Sequence, residues 1–594
     1  MGVKVSKLTV DVIMHNLEAI TRFMADTLVR TAYSPIFSEM NDFSTALLTA
    51  DCELMAQSIG CPVHLAAMSA SARAAYEEFK DDLEPGDTIL LNDPYLGGTH
   101  LGDYTFISPL FLDGELVGFA GTRAHVVDPG GCAAGGLAQA TEIIQEGLRI
   151  PPVKIYSRGK PVKDVLKLIL SHTRLPDSLM GDIRAAIAAN ETGKKFLATL
   201  YRKYGKEFIE AAVEEILNYA ERGVRKGISE IPDGTYSAED YIDTDHITPD
   251  SVRLKVTIKV KGDEMTVDWT GTSPPVPGPL NRPKHAAIGD TMYALKPLLD
   301  PDGPANEGWF RPIKVIIPEN CLLNAKWPRP VDCGNLETTA RMTDVIWQAL
   351  AEAIPEKVAG MSYGYCGGIQ PCGVDPRTGK MYSFWEGPPG GWGGRATKDG
   401  WNATWHLLGN CRDIPIEVME RLYPIRITRS ELRIDSGGPG KFRGGLGLIR
   451  EYEFVDHSPI SCYVGGDRSK AGPPGVLGGK PGAPFRAVLI TEDGVEQVIA
   501  GRREDGGWEM CQRDLWNLPR NCRIRLENAG GGGYGDPLER DPELVLKDVI
   551  NGYVSLESAR RDYGVVIDPK TLTINMKATT ELRKKLRGLN LIRQ

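Results

Sequence analysis

Four side chains able to bind a metal or move a proton fall within one short stretch of this chain. His100, Asp103, His125 and Asp128 form two identical H-x-x-D units. Between them Phe106 to Leu112 and Glu115 to Thr122 are apolar and strand-like, and Asp113-Gly114 has the composition of a two-residue hairpin turn, whose positive φ angles favour Asp and Gly. If that turn closes the hairpin, facing residue numbers sum to 227. His125 then lies opposite Gly102, flanked by His100 and Asp103, with facing Cβ atoms roughly 4.5 to 5.5 Å apart. Imidazoles and carboxylates gathered this way suit a divalent cation such as Zn or Mn, or an acid/base pair working without metal. A lone H-x-x-D is common, and a single histidine near a strand end ordinarily only completes a hydrogen bond. Two such units facing across one hairpin shift the balance toward a site.

The elements around the hairpin are legible from periodicity. Leu8, Val12, Leu17, Ile20, Phe23, Met24 and Leu28 form a helical stripe over residues 7–31, stopped at Tyr33-Ser34-Pro35. The stretch DFSTALLTADCELMAQ reads as strand, turn near Ala50-Asp51 and strand, so Asp42 begins a β-arm. Thr88 to Leu91 is a short strand that leads into a loop carrying Gly97-Gly98, where backbone can approach a neighbour closely. Residues 142–228 read as helical. Residues 235–270 alternate as an antiparallel hairpin with a Gly262-Asp263 turn, and Thr339 to Ile354 has helical spacing. Residues 363–409 are dominated by glycine and tryptophan and read as a long ordered loop lining a cavity. Its Trp385, Trp392, Trp401 and Trp405 either shape a pocket or serve core and interface. Short strands return over 425–500, and a helix is expected over 542–561. The expected architecture is mixed α+β and multidomain: a unit 1–140 with the hairpin, a helical segment 141–234, a central α/β part 235–424, and a C-terminal part 425–594 resembling a β-sandwich or barrel.

Composition excludes several classes. With 594 residues, a formal charge of -9 and no basic cluster, the chain is a poor nucleic-acid ligand. No apolar run approaches the roughly 18 residues of a membrane span and no signal core is present, so a cytoplasmic protein is expected. Gly2 and Ser6 match the loose N-myristoylation pattern, over too few fixed positions to carry weight. Eleven cysteines contain no C-x-x-C, and the closest pair, Cys366 and Cys372, sits in a Gly-rich loop, so neither a zinc ribbon nor a disulfide framework is indicated. No G-x-x-x-x-G-K-[ST] occurs and no glycine run opens an apolar helix, which disfavours nucleotide binding by this chain alone. A G-x-S-x-G elbow is also missing.

The stretches AYSPIFSEMNDFSTAL, NDPYLGGTHLGD, RAHVVDPGG, ATEIIQEGLRIPPVKIY, DSGGPGKFRGGLGLIREY and GGGGYGDPLERDPELVLKDVINGYVS, in this order, resemble the hydantoinase B/oxoprolinase family over about residues 7 to 567. The resemblance implies a B-type subunit of an ATP-dependent cyclic amide hydrolase. In this reading an A-type partner binds ATP and phosphorylates the amide oxygen, and the B-type chain delivers water to the activated ring. It implies a divalent metal, Zn or Mn, at His100, Asp103 and His125. Asp42 in the D-F-S motif would be a further ligand or acid/base group, and Asp128 a group that orients or deprotonates water. Hetero-oligomers, as heterotetramers, are implied as well. Where many relatives carry two adjacent histidines after Arg-Ala, this chain has His125 followed by Val126. The related ketone carboxylases make a role in such a carboxylase the alternative expectation, and a purely structural role a third.

Overall fold

The hairpin forms at the expected turn. In the computed structural model, which describes residues 6–58, 60–64, 67–136, 138–365 and 368–593, Asp113 and Gly114 have φ of 51° and 86°, as a two-residue turn with both central residues left-handed requires. Gly2 and Cys366 lie outside the described residues. The arms are β4 (Asp103–Leu112) and β5 (Glu115–His125), longer than sequence reading gives. Their register starts as predicted, with Leu112 facing Glu115 and Phe111 facing Leu116, then shifts by one at a bulge, so that Leu110 faces Gly118 and Asp103 faces His125. The extra residue on β5 corrects the expected pairing of His125 with Gly102.

The hairpin is the centre of a seven-stranded sheet, ordered β2-β1-β5-β4-β3-β6-β7, with β1 (Phe43–Thr49), β2 (Leu54–Gln57), β3 (Thr88–Leu91), β6 (Val153–Ser157) and β7 (Lys160–Pro161). Every neighbouring pair is antiparallel. Both faces are covered, which is why β4 is buried over eight successive residues rather than alternating. On one face the helices Lys7–Thr31 and Pro176–Tyr204 pack on each other and on the sheet. There Asn190 accepts from Thr122 Oγ1 at 2.7 Å and donates to the Phe106 carbonyl at 3.1 Å. The other face carries the helix Ala67–Phe79, with Met68, Ala72 and Ala75 against Leu48, Ile107 and Phe119.

Three departures from the sequence reading have local causes. Leu8, Val12 and Phe23 are exposed, because the buried stripe of the first helix runs through Val10, Ile13, Leu17, Ile20, Met24 and Leu28. Residues 153–161 are not helical but supply β6 and β7, pairing β3 through Val153 and Tyr156. The expected helix over 542–561 is two helices, Pro542–Ile550 and Leu556–Tyr563, separated at Gly552 with φ 71°.

The remaining strands form three further sheets. Gly234–Ile242, Val252–Lys261, Glu264–Asp268 and Ile313–Ile316 make one, packed on the helix Glu337–Leu350. Met381–Ser383, Gly368–Val374, Ser461–Gly465 and Gln512–Trp516 make the second, so part of the expected 363–409 loop is sheet. Six strands between Ile425 and Glu527 make the third. Residues of the last two sheets, such as Ile369, Val464, Tyr452 and Ile524, belong to one core, a sandwich-like arrangement. The glycine runs pack on one another: the Gly438 N–H donates to the Gly531 carbonyl at 2.7 Å and the Gly394 N–H to the Gly532 carbonyl at 2.9 Å. A Cβ at Gly531 would lie 2.0 Å from the Trp392 carbonyl oxygen. This close backbone packing, rather than a phosphate cradle, accounts for the tetraglycine. No helix among the described residues is long and apolar enough to cross a membrane.

Candidate metal centre

Three separate pieces of backbone geometry bring the hairpin groups together. Asp103 and His125 face each other as the last pair of the β4/β5 ladder. His100 arrives from the loop after β3, whose path is closed by Asn92: its amide nitrogen donates to the Leu101 and Leu148 carbonyls, both at 2.9 Å, and its oxygen accepts from the Ile150 N–H at 2.7 Å. Arg123, fully buried two residues before His125, ties this loop to the hairpin by donating to Thr105 Oγ1 at 2.8 Å, Ser71 Oγ at 2.6 Å and the Gly97 carbonyl at 3.1 Å.

The result is one carboxylate surrounded by imidazoles. Asp103 Oδ2 lies 3.0 Å from His100 Nδ1 and 3.3 Å from His64 Nε2, and its Oδ1 lies 3.3 Å from His125 Nδ1. The His100 and His125 rings stack 15° from parallel with centroids 5.0 Å apart. Gly102 makes this possible, because a Cβ there would lie 2.6 Å from His125 Cε1 and 2.9 Å from His100 Nε2. Burial works against the Asp103 charge, but the charges of His100 and His64, the close approach of the His100 ring nitrogen and the hydrogen bond from His125 outweigh it and hold the carboxyl well below its usual range. Burial likewise works against charge on His125, yet its hydrogen bond to Asp103 and the charges of Asp42, Asp103 and Asp332 push it up to about 9.

These groups line a small cavity, together with Asp42, Cys61, His64, Asp332, Gln370, Trp385, Trp405, Leu408, Cys411 and Tyr463. Asp42 is placed by β1, where its carbonyl accepts the His125 N–H at 3.1 Å. Asp332 Oδ1 lies 3.9 Å from His100 Nε2. Its segment is held by Glu146, which accepts the Val331 and Asp332 N–H groups at 2.8 and 2.9 Å. Burial and the Asp332 charge push the Glu146 carboxyl well above its ordinary range, and burial and the Asp103 charge raise Asp332 against the opposing charges of His100 and His125. Trp385 and Trp405 do line the cavity, whereas Trp401 is half exposed.

Asp128 is not among the residues lining this cavity. Its oxygens accept from the Gly130 N–H at 3.1 Å and the Arg174 N–H at 2.6 Å, and the Arg174 guanidinium pairs with it at 2.9 Å. The carboxylate is thus occupied in tying the end of the hairpin to residues 173–174. Val126, the departure from the paired histidines, also points away: it lines a small gap with Asp128, Thr173 and Leu179. Sequence reasoning missed His64 and Asp332. Each is a lone residue in an irregular segment, GCPVH and RPVDCGN, with no repeat or hairpin partner to mark it.

The donor set fits a divalent cation. One ligand atom each from His100, Asp103 and His125 lies within 4.8 Å of the others, and the buried Nδ1 of His100 makes no well-formed hydrogen bond despite its proximity to Asp103. Two imidazoles and a carboxylate match Zn or Mn and leave a coordination position open.

Comparison with known proteins agrees over nearly the whole length. The family model for hydantoinase B/oxoprolinase matches residues 6–537. The B-type chain of a putative D-/L-hydantoinase from Pseudomonas sp. strain NS671 is 33% identical, covering 98% of each chain. The beta chain of the caprolactamase of Pseudomonas jessenii is 34% identical over 95% of this chain and 97% of its own. The crystal structure of the ATP-dependent caprolactamase from the same organism superposes with a TM-score of 0.88, covering 98% of this chain and 100% of that one. A nucleotide-free acetone carboxylase, 19% identical, shares the fold with a TM-score of 0.90 over 99% of this chain and 84% of its own. The chain belongs to the hydantoinase B/oxoprolinase family.

Proposed function

We propose that this chain is the hydrolytic subunit of an ATP-dependent cyclic amide hydrolase, working with an A-type partner that binds ATP and phosphorylates the amide oxygen of the ring. The observation that carries this reading is the carboxylate of Asp103 ringed by His64, His100 and His125 in a cavity that Trp385 and Trp405 also line. Relatives named as hydantoinase and caprolactamase chains support the substrate class. A resonance-stabilised amide resists water, and phosphorylation of its oxygen removes that stabilisation.

His100, Asp103 and His125 would hold the divalent ion, Zn or Mn, which when bound lowers the pKa of water from 15.7 toward roughly 7. Asp42 faces the same space and accepts the proton of the attacking water. The water oxygen adds to the ring carbon, the C–N bond breaks, the ring nitrogen takes up a proton, and the phosphoryl group passes to water. Trp385, Trp405 and Leu408 bound the cavity and limit competing solvent. Asp128 positions the hairpin through Arg174 and takes no direct part. The A-type partner and the heterotetramer belong to this reading, and relatives named as the B or beta chain of multi-chain enzymes support a partner.

The test is co-expression with an A-type chain and ATP-dependent loss of hydantoin, 5-oxoproline or caprolactam, with and without bicarbonate. Ring opening should need no bicarbonate, and His100→Ala should abolish it while the partner's ATPase persists. Undiminished ring opening in that variant, or dependence on bicarbonate as in a ketone carboxylase, would overturn the reading.

A further inference from the structure

A second group of metal-type side chains lies outside the hairpin cavity, and the chemistry above gives it no role. His246, Glu337 and Cys511 are fully buried, and one ligand atom of each lies within 4.8 Å of the others. They come from three separate parts of the fold. His246 follows the strand Gly234–Ile242, Glu337 opens the helix Glu337–Leu350, and Cys511 immediately precedes the strand Gln512–Trp516. Nε2 of His246 stands 3.0 Å from one oxygen of Glu337, and the Gln512 amide nitrogen reaches the other. The opposite ring nitrogen of His246, Nδ1, is buried with no hydrogen-bond partner. The residue also holds a φ of 68°, uncommon outside glycine, and its N–H is tied to Thr244 Oγ1 at 3.1 Å. A plain histidine–glutamate pair would explain neither the unused ring nitrogen nor the sulfur beside it.

The surroundings favour positive charge. Burial works against charge on His246, but the charges of Glu337, Asp245 and Asp467 and the Glu337 hydrogen bond raise it above its ordinary value. Burial and the charges of Glu337, Asp243 and Asp467 lift the Cys511 thiol well above its range. Arg341 balances Asp467, yet among the described residues no Lys or Arg forms an ion pair with Glu337.

We propose that His246, Glu337 and Cys511 bind a structural divalent cation, Zn²⁺ by their chemistry, that pins the start of the helix Glu337–Leu350 to the segments on either side of it. One nitrogen, one oxygen and one sulfur supply three of the four ligands of a tetrahedral zinc site, and zinc bond lengths of about 2.0 to 2.3 Å set such atoms about 3.3 to 3.6 Å apart. The His246–Glu337 contact needs to open by only a few tenths of an ångström. Binding releases the thiol proton to solvent, because the thiolate is the ligand. Full burial means that the ion enters as the chain folds. It also reaches the hairpin cavity indirectly: Gln512, next to Cys511, accepts from the Tyr463 hydroxyl at 2.6 Å, and Tyr463 lines that cavity.

The experiment is expression of the full chain in cobalt-supplemented medium, so that Co²⁺ is present during folding, followed by reading the near-ultraviolet charge-transfer absorption of thiolate-bound cobalt and the metal content per chain. It needs no turnover, so its outcome is independent of the hydrolase reading. Wild type should show the band. His100→Ala/His125→Ala should keep it, and so should Cys61→Ala and Cys411→Ala, which alter the thiols of the hairpin cavity. Cys511→Ser should lose the band and one equivalent of metal. A wild-type chain without the band overturns the proposal even if Cys511→Ser fails to fold, and a band that survives Cys511→Ser or disappears in either cavity cysteine variant overturns it as well.

Discussion

Nε2 of His64 stands 3.3 Å from Oδ2 of Asp103, and the other ring nitrogen of His64 is 3.1 Å from the Ser44 hydroxyl. The ring is thus clamped between β1 and the carboxylate that His100 and His125 share. Removing such an outer partner ordinarily lowers metal affinity about 10- to 100-fold. His64→Ala should show that loss in competition with a chelating dye, and unchanged affinity would take His64 out of the site.

Gly102 sits where a methyl group would strike both imidazoles, 2.6 Å from His125 Cε1 and 2.9 Å from His100 Nε2. The rings must move apart to admit it. Displacement of this size can cost on the order of 100-fold in rate, so Gly102→Ala should depress ring opening by about that much with an unchanged circular dichroism spectrum. Full activity would show that the stacked imidazole geometry is dispensable.

His125 is pushed up to about 9, against its ordinary value of 6.5. In the metal-free chain it is an imidazolium at neutral pH, and a cation must displace that proton to bind. From this group alone, apparent metal affinity should rise about tenfold per pH unit between pH 7 and 9 and level off above. Isothermal titration in buffers of different ionisation enthalpy would read the proton release. A flat profile over that window would contradict the raised value.

Arg341 and Asp467 are fully buried partners joining the helix Glu337–Leu350 to the segment after the Ser461–Gly465 strand. Removing one member strands a buried charge, at a cost of about 3–5 kcal/mol. Arg341→Ala should lower the urea midpoint accordingly, with less loss in Arg341→Met, which fills more of the space. A shift below about 1 kcal/mol would mean that water reaches the pair.

The hairpin is legible because its information is local: the Asp113-Gly114 turn, the apolar arms and the two H-x-x-D units lie within one short run. The amphipathic first helix and the helix beginning at Glu337 are legible for the same reason, each carrying its own 3.6-residue period. Residues 153–161 read as helix in the sequence because β6 is specified by pairing with β3, a contact absent from its own periodicity. The sequence by itself determined the family, the candidate ligands His100, Asp103 and His125, and the lack of a phosphate-binding loop. Only the tertiary structure decided that Asp103 rather than Gly102 faces His125, since a single bulged residue changes register without changing composition. It alone brought in His64, Asp332, Cys61 and Cys411 from distant loops, and turned Asp128 toward Arg174 and out of the cavity. Long-range packing, fixed by main-chain hydrogen bonds between segments far apart in the chain, sets which side chains meet, and spacing along one strand cannot encode it.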